Sequence, residues 1–217
     1  MPGLKAVLFD NDGTLADTHD LLLECFRFST REVLGHALPD DALMEKVGQP
    51  LAVQVRDFSP DPAVQRRLRE VYSEHNAKIH DEMIAGFPGM EDALSRLADA
   101  GLAMGVATSK MHAVAAHGLE VIGISGYFSC LVGADDCARH KPDPEPVLRG
   151  CELLGVEPAA CAYVGDSPYD MQAGRAAGCV TAAVGWGMFS EGVLRAEGPT
   201  MFARTWAELA DALVAAM

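Results

Sequence analysis

The chain has 217 residues, of which 49% are hydrophobic and 22% charged, and it carries a formal net charge of −14. This composition is typical of a globular protein with one large domain, or with a core domain and a smaller one, and it excludes a disordered chain. Because nucleic acids and anionic membranes attract cationic surfaces, we expect neither to be the main partner. The short N-terminal apolar run ends at Asp10 and the six cysteines include no C-x-x-C pair, so we expect a cytoplasmic protein with reduced thiols.

The first predicted element is a strand over residues 4–9 that ends at a pair of acids, Asp10 and Asp12, followed by Gly13. Residues two apart in a strand point to the same side, so both carboxylates can face one site. Two adjacent carboxylates repel each other unless a cation or a shared proton compensates them. An isolated D-x-D-G is more often a solvated turn, so the rest of the chain decides whether this pair is a site.

The next block, residues 16–85, reads as a small all-helical insertion without a convincing strand. Asp17 and Thr18 can cap its first helix, which ends near Gly35. Three further helical stretches follow, each opened by proline or bounded by glycine and proline: 39–48, 51–58 and 59–83.

From residue 86 onward, helices and strands alternate with short connections. This pattern predicts an α/β fold with a Rossmann-like, mainly parallel sheet covered by helices on both faces. The first strand belongs to the same sheet, so the predicted core domain comprises residues 1–15 and 86–217, with the helical domain at 16–85 inserted after the first strand. The predicted strands are 102–108, 128–133, 160–165 and 179–184, and the predicted helices are 90–100, 111–122, 143–154, 168–177 and 206–216.

Polar residues follow three more of these elements, where parallel strands of such a sheet place their chemistry. Thr108 and Ser109 stand at the start of a helix, where free backbone N–H groups favour an anion. Lys141 precedes a proline-rich helix entry that directs it toward the strand ends. Asp166 ends another apolar strand, and Asp170 lies one helical turn later.

Together these residues predict two adjoining sites. The four carboxylates form a hard-oxygen site suited to Mg²⁺. The hydroxyl, the backbone amides and the lysine form a phosphate site beside it. A carboxylate held against both is placed to attack phosphorus in line, so the sequence predicts phosphoryl transfer to or from a small phosphorylated substrate.

In these four motifs, present in order over essentially the whole chain, the protein resembles the haloacid dehalogenase-like (HAD) superfamily of phosphohydrolases. The first motif is Phe-Asp-Asn-Asp-Gly-Thr over residues 9–14. The resemblance implies that Asp10 is the nucleophile that forms an aspartyl-phosphate. It implies that Asp12 is the general acid and base, with its backbone carbonyl touching Mg²⁺.

The same resemblance assigns the later motifs. It makes Thr108 and Lys141 phosphate ligands, with Lys141 neutralising charge, and Ser109 a contributor through its backbone N–H. It makes Asp166 a metal ligand and Asp170 its supporting acid, so that the implied metal set is Asp10, Asp12, Asp166 and Asp170. It also implies that the helical insertion is a cap that closes over the site.

The implied substrate is inorganic pyrophosphate or a small phosphomonoester such as phosphoglycolate, since the chain looks most like the phosphoglycolate phosphatase and bacterial pyrophosphatase branch. Sugar-phosphate mutase activity stays open, whereas Asp12 disfavours dehalogenation and phosphonate cleavage. Retention of both acid pairs argues against a degenerate binding protein. We expect His75 and His80 to be solvated rather than ligands, and the protein to be a monomer or homodimer.

Overall fold

The computed structural model describes residues 3–217, whose centre is a six-stranded parallel sheet in the order β5-β4-β1-β6-β7-β8. The strand β1 is completely buried and pairs with β4 on one side and β6 on the other, which explains its unbroken apolar sequence. The strands are β1 (Ala6–Phe9), β4 (Ala103–Ala107), β5 (Cys130–Val132), β6 (Cys161–Gly165), β7 (Val180–Val184) and β8 (Met201–Ala203). The predicted α/β class and parallel sheet are therefore confirmed.

Helices cover both faces of this sheet. One face packs on α5 (Met90–Asp99), α6 (His112–Val121) and α10 (Trp206–Ala215), and the other on α7 (Glu145–Leu154) and α8 (Pro168–Ala177). The short helix α9 (Glu191–Ala196) follows β7. Trp206 on one face and Tyr163 on the other are among the largest buried side chains. The two packed faces hold the strand ends in fixed positions.

Four helices within residues 19–83 form a separate layer with its own apolar cluster. These are α1 (His19–Leu34), α2 (Asp40–Met44), α3 (Leu51–Gln54) and α4 (Pro62–Met83). Helix α1 packs along α4, with Phe26 lying 4.8 Å from Tyr72 between ring centroids. Thr18 is the N-cap residue of α1, but its side chain makes no capping hydrogen bond.

The expectation that residues 16–85 contain no strand is wrong at both ends of the block. The chain enters the helical layer through β2 (Ala16–Asp17) and leaves it through β3 (Ala85–Gly86), and these two strands pair antiparallel. Two residues are too few to show an alternating pattern, so their sequence does not distinguish them from turns. The two chain segments that connect the helical layer to the sheet therefore run side by side as β2 and β3, which we call the crossing strands.

Two elements near the C-terminus were not predicted. The strand β8 has three residues and pairs only with β7, and α9 has six residues. Both are shorter than the lengths at which hydrophobic periodicity identifies an element. Among residues 3–217, no helix is both long and apolar enough to cross a membrane.

Candidate active site

The residues of the four motifs meet at the carboxyl ends of three adjacent strands. Asp10 directly follows β1, and its backbone N–H donates to the carbonyl of Val164 in β6 at 2.8 Å. Thr108 follows β4 and Asp166 follows β6, and both side chains are buried. Because β4 and β6 flank β1, the three strand ends lie side by side and form a candidate active site.

Three of the predicted acids form a compact buried group. Carboxylate oxygens of Asp10, Asp166 and Asp170 lie within 4.8 Å of one another. Lys141 Nζ lies 2.9 Å from Asp10 Oδ1 and 2.6 Å from Asp170 Oδ1. Burial opposes the charge of Lys141, but the two carboxylates outweigh it and raise its pKa well above the usual value. The structure therefore brings these four predicted residues together.

The environment of Asp10 shifts the pKa of its carboxyl group. Its Oδ1 is buried 2.9 Å from Lys141 Nζ and accepts no well-aligned hydrogen bond. Burial raises the pKa of Asp10 to about 7, partly offset by Lys141. Without further positive charge, Asp10 therefore loses its proton only near neutral pH.

Asp166 is held by neutral donors alone. Thr14 Oγ1 donates to its Oδ1 at 3.1 Å, and the Met188 backbone N–H donates to Oδ2 at 2.7 Å. Burial, followed by the charges of Asp170 and Asp10, raises its pKa well above the usual range. A Cβ built on Gly13 or on Gly187 would overlap the Asp166 carboxylate, so both glycines are required by close approach to it.

Asp170 supports the group from the first turn of α8. The Ser167 backbone N–H donates to its Oδ2 at 3.0 Å and the Asp170 backbone N–H donates to Ser167 Oγ at 3.3 Å, which together form a capping box. Ser167 Oγ also donates to Oδ2 at 2.5 Å. The Tyr163 hydroxyl lies 3.1 Å from Oδ1 and 2.8 Å from the Ala107 carbonyl oxygen, and its single hydrogen can be donated to either acceptor. These bonds fix the Asp170 carboxylate, which in turn accepts a hydrogen bond from Lys141 at 2.6 Å.

Asp12 occupies a different position from the other acids. It lines the same cavity as Asp10, but its carboxylate pairs with Lys110, whose Nζ lies 2.6 Å from Oδ1. The two side chains are only 17% and 10% exposed. Sequence reasoning assigned Lys110 no role, because a lysine two residues after Thr108 resembles any solvated lysine. Asn11, also given no role, donates to Asp12 Oδ1 at 3.3 Å.

The predicted phosphate ligands stand beside Asp10. Thr108 is buried, and its Oγ1 accepts from the Lys110 backbone N–H at 3.2 Å. The hydroxyl of Ser109 is buried and has no hydrogen-bond partner in the structure. A buried hydroxyl without a partner is costly, so it is suited to a polar ligand group. Asp10, Thr108 and Ser109 all line one cavity.

That cavity has a volume of about 740 Å³ and lies between the sheet and the helical layer. Its opposite wall comes from the loop before α3 and from one side of α4. The residues of this wall include Gly48, Gln49, Arg69, Tyr72, Asn76 and His80. The volume is that of a small-molecule site.

The expectation that His75 and His80 are solvated is wrong. The His80 side chain is 4% exposed and lies beside His117 of α6, at 5.4 Å between ring centroids. The His75 ring stacks on Phe28 at 3.8 Å. Polar residues on a long helix usually indicate its solvent-exposed face. In α4, however, these two histidines pack on α1 and α6.

The chain is similar to known proteins along most of its length. The family model described as "Haloacid dehalogenase-like hydrolase" matches residues 7–184. A protein of Caldanaerobacter subterraneus subsp. tengcongensis named "Putative pyrophosphatase PpaX" is 35% identical, over 92% of this chain and 90% of that protein. Pyrophosphatase PpaX of Oceanobacillus iheyensis is 32% identical, over 90% of each.

Among solved structures, the crystal structure described as "a predicted phosphoglycolate phosphatase" from Haemophilus somnus 129PT superposes with a TM-score of 0.90. It is 20% identical, and the match covers 98% of this chain and 99% of that one. At this identity the likeness establishes the fold.

Proposed function

The chain belongs to the haloacid dehalogenase-like hydrolases, and from its site we propose that it is a Mg²⁺-dependent phosphohydrolase whose substrate is inorganic pyrophosphate. Small phosphomonoesters such as phosphoglycolate are the second substrate class. The observation that carries the proposal is the excess of buried carboxylates over buried cations in the site. Asp10, Asp166 and Asp170 face one another, and among residues 3–217 only Lys141 forms an ion pair with any of them.

The donor set fits a hard divalent cation. Ionising all three carboxylates leaves two negative charges uncompensated in a buried site, which is costly without a cation. The carboxylate oxygens of Asp10 and Asp166 are ligands of the kind that Mg²⁺ prefers, and among the described residues this group contains no histidine or cysteine. We propose that Asp10 and Asp166 hold the ion, with the Asp12 backbone carbonyl beside them. When bound, Mg²⁺ would supply positive charge to offset the charge that develops on the transferred phosphoryl group.

We assign each step of the reaction to side chains of the protein. The Asp10 carboxylate attacks phosphorus and forms an aspartyl-phosphate while the bond to the leaving oxygen breaks. Asp12 gives that oxygen a proton, and then accepts a proton from the water that attacks the aspartyl-phosphate and restores Asp10. Thr108, Ser109 and Lys141 hold the phosphoryl oxygens throughout.

The choice of pyrophosphate has two supports. Two relatives above 30% identity carry the pyrophosphatase name and cover nearly the whole chain. In addition, Lys110 and Arg69 line the cavity, and both are cations suited to the oxygens of a second phosphate.

A substrate panel tests the proposal. The protein is incubated with Mg²⁺ and pyrophosphate, phosphoglycolate, hexose phosphates or a 2-haloacid, and released phosphate or halide is measured. We expect pyrophosphate to give the highest kcat/KM. Isomerised hexose phosphate without phosphate release would instead show a mutase, halide release a dehalogenase, and no turnover at all would refute an enzymatic role.

Replacing the nucleophile tests the mechanism. In Asp10→Asn we expect kcat to fall at least about a thousandfold, because an amide cannot form the aspartyl-phosphate. Folding should persist, as measured by circular dichroism, because Asn has nearly the same shape. Asp20→Asn, at a highly exposed acid of α1, is the matched control and should keep full activity. Retained turnover in Asp10→Asn would remove Asp10 as nucleophile.

A further inference from the structure

Two histidines and an aspartate, none of them part of the buried carboxylate group, converge where α4 meets α6. Asp81 Oδ1 lies 2.8 Å from His80 Nδ1 and 2.8 Å from His117 Nε2. One ligand atom from each of the three residues lies within 4.8 Å of the other two. We refer to these three residues as the histidine cluster.

The cluster is both anchored and accessible. The His80 side chain is only 4% exposed, and its second ring nitrogen, Nε2, is buried without a hydrogen-bond partner. Asp81 and His117 are 58% and 53% exposed. All three residues line the active-site cavity. A small solute therefore has a route to the cluster, while His80 provides a fixed position within it.

We propose that the histidine cluster is a binding site for a divalent transition-metal ion such as Zn²⁺. The ligands would be His80 Nδ1, Asp81 Oδ1 and His117 Nε2, with water in the remaining position. Imidazole nitrogens with one carboxylate are a ligand set of such ions, whereas Mg²⁺ and Ca²⁺ prefer oxygen.

A small change in side-chain positions would bring the three ligand atoms to the spacing of a tetrahedral metal site. In a tetrahedral site with bonds of about 2.0–2.1 Å, neighbouring ligand atoms are about 3.3 Å apart. The two 2.8 Å separations would have to widen by roughly half an ångström to reach this spacing. The exposed side chains of Asp81 and His117 have room to make that adjustment.

The site would join the two layers of the molecule. His80 and Asp81 lie in the last turn of the long helix α4, four to five residues before the crossing strand β3, whereas His117 belongs to α6 on the sheet. An ion held by all three would tie α4 to α6 next to the point where the helical layer connects to the sheet. It would thereby restrict movement of that layer over the cavity.

The test uses Co²⁺ as a spectroscopic probe with the full-length protein in excess Mg²⁺. Nitrogen-ligated Co²⁺ of low coordination number absorbs strongly in the visible, and Mg²⁺ does not compete well for nitrogen ligands. We expect one equivalent of Co²⁺ to give this absorption, and Zn²⁺ to abolish it by displacement. Absorption that Mg²⁺ removes would place the ion at the carboxylates and overturn the proposal.

Variants identify the ligands. His117→Ala and Asp81→Asn alter exposed side chains, and we expect each to weaken Co²⁺ binding at least tenfold. His112→Ala is the matched control, since His112 is also on α6 and pairs with Asp136 at 2.6 Å without a second histidine. It should bind Co²⁺ as the unaltered protein does. Equal binding by His117→Ala and the unaltered protein would refute the site.

A second measurement does not depend on absorption. An ion that binds only the folded protein raises Tm as its concentration rises above Kd. In excess Mg²⁺, we expect Zn²⁺ to raise the Tm of the unaltered protein and of His112→Ala, and to leave that of His117→Ala unchanged. The same rise in all three proteins would overturn the proposal.

Discussion

Lys110 holds the Asp12 carboxylate to one side of the cavity, through a nearly buried ion pair of 2.6 Å. A carboxylate that must give and accept a proton at a fixed oxygen needs such a constraint. The same ammonium group is close enough to the cavity to attract substrate oxygens. Lys110 is therefore a positioning residue for the proposed reaction.

Replacing this lysine should impair turnover while leaving the fold intact. In Lys110→Met we expect kcat/KM for pyrophosphate to fall about tenfold to a hundredfold, because Asp12 loses its constraint. Lys46→Met is the control, since Lys46 forms an ion pair of the same length with Asp57 at a half-exposed site. Surface pairs of this kind contribute little, so the control should match the unaltered enzyme. An equal effect in both variants would show that Lys110 has no special role.

The titration of Asp10 links metal binding to pH. Its pKa is about 7 in the folded protein and 3.8 as an unperturbed group. Between these values the folded protein retains a proton that the unfolded chain has released. This group's stabilising contribution is thus present below pH 3.8 and lost as pH rises through about 7.

A bound cation should reverse that loss, because it favours the ionised carboxylate. We expect the rise in Tm caused by Mg²⁺ to be larger above pH 7 than below it, measured by thermal unfolding with and without Mg²⁺. Asp10→Asn should show a weaker dependence on pH. A Mg²⁺ effect that is the same on both sides of neutral pH would contradict the assignment of Asp10 as a ligand.

At this scale the sequence places Asp10, Thr108 and Asp166 directly after apolar strands, and the structure brings these residues together with Lys141 and Asp170. The sequence does not identify Lys110 or the burial of His80. Both depend on contacts between elements far apart in the chain, Lys110 with Asp12 and His80 with His117. Nothing in the local pattern distinguishes these residues from solvated ones.

At the scale of elements, the loop before α3 meets the sheet domain at Gly48. This glycine has φ of +93°, and a Cβ on it would lie 3.2 Å from the side chain of Ser167. Ser167 in turn holds Asp170. The loop of the helical layer therefore rests directly on the residues that support the buried acids.

A methyl group at this point should disturb the site. We expect Gly48→Ala to lower kcat/KM about tenfold to a hundredfold, because the loop must shift away from Ser167. Gly35→Ala is the matched control, with φ of +81° and no atom within 4 Å of the added Cβ. Both changes should cost about 1–2 kcal/mol from the left-handed backbone, measured by denaturant unfolding. Full activity in Gly48→Ala would show that this contact is unnecessary.

The predictability of elements follows their length and burial. The strands that carry Asp10, Thr108 and Asp166 are four or five residues long and almost wholly buried, so their sequences are continuous apolar runs. The crossing strands β2 and β3 have only two residues each. They pair only because the intervening helical layer folds and brings residues far apart in the chain together, and no local sequence pattern predicts this.

At the scale of the whole molecule, the net charge of −14 opposes an anionic substrate. The repulsion between them is screened over about 30 Å at 0.01 M ionic strength and about 10 Å at 0.1 M. We therefore expect kcat/KM for pyrophosphate to rise a few-fold over this range at constant free Mg²⁺, with kcat unchanged. A fall in kcat/KM would show that the cations lining the cavity dominate the approach of substrate.

The pairing of β2 with β3 also bears on how such a protein can change. Because Ala16 pairs with Gly86, the chain leaves the sheet domain and returns to it at positions only one strand spacing apart, about 4.8 Å. A segment of different length or sequence can be spliced between those two points without displacing the strand ends that hold Asp10 and Asp166. The contact of Gly48 with Ser167, which holds Asp170, is then the constraint that any replacement segment has to satisfy.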